Sequence, residues 1–313
     1  MTKIIIDTDP GIDDAMAILF AHLIPSIELL GLTTIFGNVS TDQSTENALR
    51  LVDMMGLDIP VAKGADKPMV KELKEFPDFV HGKNGFGDIA LEETLRNPIE
   101  KTACDYLIDS VLKRPGEITI VAIGPLTNLA LAIQKEPLIK KKVKEVVIMG
   151  GAIGINGNVN PAAEANMLSD PHAADLVLTS DWPVTLIGLD VSQQIIMTEK
   201  YLQEVHHQSS FAGGFILDIS KFYLDFHRDS GLDGIYTHDP STLAYLAEPD
   251  LFTIEKGGIR VVTEGIAIGQ TIMNRNKHKY GETAWSDIPD VRVCMDVDHH
   301  AVLELYRKIF QES

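Results

Sequence analysis

The chain has 313 residues, 45% of them hydrophobic, so it is long enough to bury a large core. Its formal net charge of -18, without any basic run, argues against a nucleic-acid polymer or an anionic membrane surface as a partner. Its two cysteines fit no disulfide or zinc pattern, and no apolar run approaches the ~18 residues that cross a bilayer, so we expect a soluble cytoplasmic protein.

Short β-branched runs alternate with helix-like segments along the first two thirds of the chain. The predicted strands are KIIID (3–7), LLGLTTIFG (29–37), EITIVAIG (117–124), VKEVVIMGG (143–151) and WPVTLIGLD (182–190). The predicted helices are Ile12–Leu23, Asp42–Met55, Ala103–Lys113, Leu126–Gln134 and Ala173–Thr179. This alternation predicts an α/β fold with an open, mostly parallel sheet flanked by helices. After about residue 195 the pattern is mainly helical, and FTIEKGGIRVV (252–262) is predicted to form an antiparallel hairpin.

No linker, low-complexity tract or repeat marks a boundary, so we expect a single domain over residues 1–313. The longest segment without a predicted element is KEFPDFVHGKNGFGDIA (74–90), which is rich in Gly and aromatic residues. Loops of that length in a compact domain are usually functional or disordered, and the aromatic residues favour a functional lid.

Four carboxylates crowd the segment DTDPGIDD, namely Asp7, Asp9, Asp13 and Asp14. The dipole at a helix N-terminus stabilises each by at most about 1–2 kcal/mol, less than the cost of burying several like charges together. A cation is the better explanation, and oxygen ligands favour Ca²⁺ over Mg²⁺ because Ca²⁺ tolerates mixed carboxylate, carbonyl and water ligands. Helix capping by one of these acids is the alternative.

Other candidate residues follow later strands, and the carboxyl ends of parallel strands meet at one edge of a sheet. In THDP, Asp239 precedes a proline, which is an ordinary way for a helix to begin. The adjacent His238, however, can donate a proton near neutral pH. The segment NGNVNPAAEAN (156–166) offers amides and one acid that could hold sugar hydroxyls, although a solvated loop explains it equally well.

Several motifs, in order along nearly the whole chain, resemble those of the nucleoside hydrolases, the inosine-uridine preferring ribohydrolases. They are DTDPGIDDAMAIL, TTIFGN, IGPLTNLA, VVIMGGA, NPAAEANMLSDP and THDP. The resemblance implies an open α/β fold and an enzyme that hydrolyses the N-glycosidic bond of ribonucleosides with a Ca²⁺-bound water.

The resemblance also implies a role for each matching residue. Ca²⁺ would be held by Asp9, Asp14, the carbonyl of Ile123 and Asp239, with Asp9 as general base and His238 as the acid for the leaving group. The remaining residues are expected to contact the ribose or the base: Asp13, Asn38, His81, Met149, Asn158, Glu164 and Asn166. In the stretch FYLDFHRDSGLDGIYTHDP, the residues Phe222, Phe226 and His227 are candidates for the base pocket, which leaves purine against pyrimidine preference open.

Two alternatives compete with this interpretation. A haloacid-dehalogenase-like phosphatase would use Asp7 as nucleophile beside Mg²⁺, but Pro10 and Gly11 depart from that pattern. A Ca²⁺-dependent nucleoside-binding protein would use the same oxygens without turnover, and the pairing of Asp9 with His238 argues against it. By analogy with the family we also expect a homo-oligomer, either a tetramer or a dimer.

Overall fold

The computed structural model describes residues 1–208, 212–275 and 283–311. Its strands are β1 (Thr2–Thr8), β2 (Ile27–Thr34), β3 (Val61–Lys63), β4 (Ile118–Ala122), β5 (Glu145–Met149), β6 (Val184–Ile187), β7 (Ile196–Met197), β8 (Ile235–Tyr236), β9 (Phe252–Val261), β10 (Thr271–Asn274) and β11 (Asp290–Val297). Nine of them form one sheet in the order β10-β9-β11-β6-β5-β4-β1-β2-β3, and β7 pairs with β8 apart from it. From β11 to β3 every neighbouring pair is parallel, whereas β9 runs antiparallel to both of its neighbours.

The helices pack on both faces of this sheet. They are α1 (Ile12–Leu23), α2 (Thr41–Met54), α3 (Asp78–His81), α4 (Ala103–Lys113), α5 (Thr127–Lys135), α6 (Ile139–Lys142), α7 (Ala165–Ser169), α8 (Pro171–Leu178), α9 (Leu189–Ser192), α10 (Glu199–Gln208), α11 (Ala212–Asp229), α12 (Pro240–Ala247) and α13 (His299–Gln311). The α/β architecture predicted from the sequence is confirmed as a single domain, and α1 and α4 begin and end where the sequence predicts. That the domain extends over all of residues 1–313 stays a prediction.

Strand β1 lies in the middle of the sheet and shows how the core is divided. Ile4 and Ile6 point into the cluster formed with α1, α11 and α13, while Ile5 points into the cluster formed with α4, α5 and α8. All three side chains are fully buried. A strand covered on both faces needs a continuous apolar run, which explains the three consecutive isoleucines of KIIID.

The predicted hairpin at 252–262 is wrong, because this segment is the single strand β9. Gly257 and Gly258 lie in the middle of this segment, but neither has a positive φ and both are buried within the strand. A side chain at Gly257 would collide with the backbone carbonyl of Asn274, and one at Gly258 would press on Ile288. The two glycines therefore allow close packing at the edge of the sheet instead of a reversal of the chain.

The segment predicted as a long loop, residues 74–90, contains the one-turn helix α3 and is tied to the N-terminal motif. The side-chain amide of Asn47 donates to the carbonyls of Pro10 (2.9 Å) and Asn84 (2.8 Å), so it joins this loop to the turn between β1 and α1. Within the described ranges, every helix is too short or too polar to span a bilayer.

Candidate active site

The candidate site lies where the order of the strands reverses. The chain proceeds from β1 outward to β3, then returns to place β4 on the other side of β1 and continues through β5 and β6. The crevice between the carboxyl ends of β1 and β4 is thus the topological switch point, where open α/β sheets bind their ligands. Asp9 follows β1 and Ile123 follows β4, so both lie at this crevice.

Asp14 is held firmly by the turn between β1 and α1. One of its carboxylate oxygens accepts from the Thr8 hydroxyl (2.5 Å) and from the backbone N–H of Asp9 (3.2 Å). The other accepts from the N–H of Gly11 (3.0 Å) and from the side-chain amide of Asn38 (2.9 Å). As the third residue of α1, Asp14 is thus the acid that satisfies the helix N-terminus.

Asp9 is buried but only half satisfied. Its Oδ2 accepts from the backbone N–H of Asn38 (2.6 Å), whereas its Oδ1 is buried without a hydrogen-bond partner among the described residues. Gly37 and Gly124 let the backbone approach this carboxylate, because a Cβ at either position would clash with it. Such an orphaned oxygen costs free energy unless a ligand occupies it.

Three acids converge beside Asp9. Ligand oxygens of Asp13, Asp14 and Asp239 all lie within 4.8 Å of one another, and all three residues are buried. Burial and the neighbouring charge of Asp14 raise the pKa of Asp13 to about 8, and burial with the charges of Asp13, Asp14 and Asp9 raises the pKa of Asp239 well above its usual range.

No described Lys or Arg side chain forms an ion pair with any of these four carboxylates. The residues therefore fit a hard divalent cation, since carboxylate oxygens in excess of protein cations are the donor set that such ions need.

Asp239 occupies the N-cap position of α12, with Pro240 as the first residue, so its sequence context is that of a helix start. Its side chain, however, makes no capping hydrogen bond and turns to the acid cluster instead. Asp170, which also precedes a proline at the start of a helix, does cap that helix, because it accepts from the N–H of Ala173 (3.0 Å). The two look alike in sequence and differ in what their carboxylates contact.

Next to the acids a cavity of about 470 Å³ collects most of the predicted site residues. Those that line it are Asp13, Asn38, His81, Ile123, Met149, Asn158, Glu164, Asn166, Phe226, His227, His238 and Asp239. Asp9 lines the adjoining opening, which shares Asn38 and Asn166 with the cavity. Asp14 is fully buried and lines neither of the two openings. The predicted set is therefore gathered in one place.

On one wall, Glu164 and Asn166 come from the segment after β5. Glu164 caps α7, because its carboxylate accepts from the N–H groups of Asn166 (2.8 Å) and Met167 (3.1 Å) and also from Gly151 (2.9 Å). The amide of Asn166 donates to the carbonyls of Ile123 (2.9 Å) and Met149 (3.2 Å), while Asn158 is exposed at the rim. These contacts fix the polar groups in place without using all of their hydrogen-bonding capacity.

His238 and His81 also line the cavity. Burial, together with the nearby His227 and His81, lowers the pKa of His238 to about 3, so the ring is neutral at neutral pH. The sequence predicted that His238 titrates near neutral pH, and its pKa is lower than that because the ring is buried. The Nδ1 of His81 accepts from the backbone N–H of Ile12 (3.2 Å), and burial lowers its pKa to about 3 as well.

The aromatic wall of the cavity includes residues that the sequence did not identify. Tyr223 is buried in α11, stacks on Phe226 at 6.3 Å between ring centroids, and lies 4.3 Å from the ring of His227. Its spacing of three and four residues from those candidates was the available signal. Phe222, which the sequence offered, is not among the lining residues and packs toward Gly87 instead. Other unidentified lining residues are Pro77, Phe79, Val80, Val159, Ala165, Gln193, Ser230 and Tyr236.

Comparison with known proteins decides the family. The family model described as inosine-uridine preferring nucleoside hydrolase matches residues 4–304. This chain belongs to that family. It is 46% identical to uridine nucleosidase 1 of Arabidopsis thaliana over 305 residues, which cover 96% of this chain and 91% of the relative.

Solved structures of nucleoside hydrolases share the fold of this family member. A plant nucleoside hydrolase superposes with a TM-score of 0.97 at 44% identity, covering 99% of both chains. A purine-preferring ribonucleoside hydrolase from Gardnerella vaginalis gives 0.91 at 35% identity, covering 99% of this chain and 98% of that one. The protein is therefore a nucleoside hydrolase that cleaves the N-glycosidic bond of ribonucleosides. The phosphatase alternative is not favoured, and Asp7, its expected nucleophile, is fully buried and lines neither opening.

Proposed function

We propose that this nucleoside hydrolase uses Ca²⁺ and a carboxylate base, Asp9, and that it accepts both purine and pyrimidine ribonucleosides. The observation that carries the proposal is the Oδ1 of Asp9, a buried oxygen without a partner among the described residues, beside three clustered acids. A group with this environment needs a cation to remain charged.

The ligands that we propose for Ca²⁺ are Asp9, Asp14, Asp239 and the carbonyl oxygen of Ile123. This carbonyl already accepts from Asn166 and keeps a second lone pair for the ion. Mixed carboxylate and carbonyl oxygens suit Ca²⁺ better than the smaller Mg²⁺, which demands near-ideal octahedral geometry. When bound, the ion would offset the repulsion between the acids, polarise a water molecule and hold ribose hydroxyls.

Asp9 is proposed as the general base. Without a cation, burial and the charges of Asp14 and Asp13 raise its pKa well above the usual range, so the proposed ion would keep Asp9 deprotonated and able to accept a proton. Its Oδ1 would take the proton from the attacking water as the bond from C1′ to the base nitrogen breaks. Cleavage at this carbon passes through an oxocarbenium-like state, which the nearby carboxylates stabilise.

The ribose and the base are proposed to lie on opposite sides of the cavity. Contacts to the ribose would come from Asp13, Asn38, Met149, Asn158, Glu164 and Asn166. The base would meet His81, Phe226 and His227, together with Tyr223. Because this wall is mainly aromatic, it offers every base a surface on which to stack, which supports broad specificity.

His238 is proposed to assist the leaving group. Since its ring is neutral, it would donate a hydrogen bond to the departing base and stabilise the negative charge that develops there. We also propose, from the resemblance to the family alone, that the protein is a cytoplasmic homo-oligomer, a tetramer or a dimer.

Asp9→Asn tests the proposal directly, because the amide keeps the shape of the side chain but cannot accept the proton. We expect kcat for uridine and inosine to fall by about 10² to 10⁴, the usual contribution of a general base. The matched control is Asp7→Asn, whose remaining oxygen can still accept from Thr33 (2.5 Å) and Asn128 (2.8 Å). It should keep kcat within about tenfold.

A near wild-type rate for Asp9→Asn would remove Asp9 from the mechanism, and an equal loss in a folded Asp7→Asn would show that the effect is not specific to Asp9. A wild-type protein that binds nucleosides without releasing ribose would support the nucleoside-binding alternative.

A further inference from the structure

Ser192, which is not among the predicted site residues, contacts the ring of His238. Ser192 is the last residue of α9, the short helix that follows β6, and it is fully buried. Its Oγ lies 2.9 Å from the Nδ1 of His238, which is within hydrogen-bonding distance. Ser192 is not itself among the residues that line the cavity.

Hydrogen bonds to backbone carbonyls hold the segments that carry Ser192 and His238. The N–H of Ser192 donates to the carbonyl of Gly188 (3.1 Å), which closes the turn of α9. One residue before His238, the N–H and the hydroxyl of Thr237 both donate to the carbonyl of Ile195, each at 3.2 Å. The contact therefore joins two segments whose separation is already fixed.

The tautomer of His238 decides which of the two groups donates in this contact. A neutral imidazole has one donor nitrogen and one acceptor nitrogen, and the partner of one nitrogen determines which it is. Among the described residues, the Ser192 hydroxyl has His238 as its hydrogen-bond partner. If this hydroxyl donates to Nδ1, the hydrogen of the ring lies on Nε2, the nitrogen on the side away from Ser192.

We infer that Ser192 is a positioning residue that holds His238 with its Nε2–H directed to the departing base. The inference rests on the proposed role of His238 in assisting the leaving group. Without the serine, the ring can take the other tautomer or rotate, and the base then loses its donor. Ser192 acts through His238 and contacts neither base nor ribose.

The test compares two substrates that differ in their need for such a donor. Uridine releases a poor leaving group, whereas p-nitrophenyl β-D-ribofuranoside releases a phenolate that is stable as an anion. We expect Ser192→Ala to lower kcat for uridine about tenfold or more and to leave kcat for the p-nitrophenyl riboside within about twofold. Ser192→Thr, which keeps the hydroxyl, should recover most of the loss.

A double-mutant cycle shows whether the serine works through the histidine. Adding Ser192→Ala to His238→Ala should cause no further loss with uridine, because the group being positioned is already absent. The control is Ser220→Ala, a fully buried serine that donates to the carbonyl of Ile216 (2.6 Å) within α11 and lies outside the cavity lining. It should leave both substrates unaffected.

The outcomes separate this inference from the proposed function. If His238→Ala keeps full activity with uridine, the proposed role of His238 fails, and the inference fails with it. If His238→Ala is impaired but Ser192→Ala is not, the inference alone is wrong. Equal losses of Ser192→Ala on both substrates, additive losses in the cycle, or a Ser192→Thr variant that folds but recovers nothing would each show a merely structural role.

Discussion

At the scale of single residues, Asp9 and Asp14 show how neighbouring acids acquire different roles. Asp14 receives hydrogen bonds on both oxygens from Thr8, Gly11, Asn38 and the N–H of Asp9, so it is fixed. Asp9 receives one from Asn38 on Oδ2, and its Oδ1 has no partner in the described parts of the chain. The fixed carboxylate suits a ligand, and the free oxygen suits a group that must also take a proton.

His81 provides a prediction about pH at the same scale. Its folded pKa of about 3 lies below the ordinary value of 6.5, so the unfolded chain binds a proton first as the pH falls. The stability that the neutral ring contributes is therefore present above about pH 6.5 and is lost progressively as the pH falls toward 3. At about pH 5 this loss amounts to about 2 kcal/mol.

His81→Asn should remove that loss, because an Asn oxygen can accept from Ile12 but does not titrate. We expect the free energy of unfolding of the wild-type protein to fall by about 2 kcal/mol more than that of the variant between about pH 7.5 and about pH 5. Denaturant unfolding of both proteins at the two pH values measures this. The same pH dependence in both would contradict the buried, neutral state of His81.

At the scale of elements, one face of α11 forms the aromatic wall of the cavity. Tyr223, Phe226 and His227 lie three and four residues apart, which is the spacing that brings side chains together on one side of a helix. Phe222, one position earlier, points toward Gly87 of the 74–90 loop. The helix thus uses adjacent residues for two different purposes.

This arrangement predicts different outcomes for two similar substitutions. Phe226→Ala should raise KM for uridine and inosine by about tenfold, because a stacking contact contributes on the order of 1–3 kcal/mol, and should leave kcat nearly unchanged. Phe222→Ala should lower the thermal midpoint but keep KM within about twofold. Steady-state kinetics of both variants check this, and a larger effect on KM from Phe222→Ala would relocate the base pocket.

Much of this could be predicted from the sequence, for identifiable reasons. The apolar run of β1 and the helical pattern of α1 are local signals, so their bounds were predicted closely. The hairpin predicted at 252–262 was wrong, because the close contacts of the two glycines in β9 with Asn274 and Ile288 leave no signal in the local sequence. Ser192 was missed because it lies 46 residues from His238 and stands in no motif.

At the scale of the whole molecule, the strand order explains why the site lies where it does. Reversal between β1 and β4 opens a crevice, and the segments after β1, β2, β4 and β5 supply acids, amides and carbonyls to it. Asp239 joins them from the start of α12. No single element contains the site, so the four carboxylates come together only when the sheet is complete.

We propose above that Ca²⁺ at this acid cluster supports the hydrolysis of both classes of ribonucleoside. The most direct measurement is the release of reducing sugar from uridine and inosine by protein stripped with a chelator, before and after Ca²⁺ is restored. We predict that stripping abolishes release from both substrates and that Ca²⁺ restores it, because four buried carboxylates then regain their counter-charge. Full activity of the stripped protein, or no recovery with Ca²⁺ while the protein remains folded, would contradict the account.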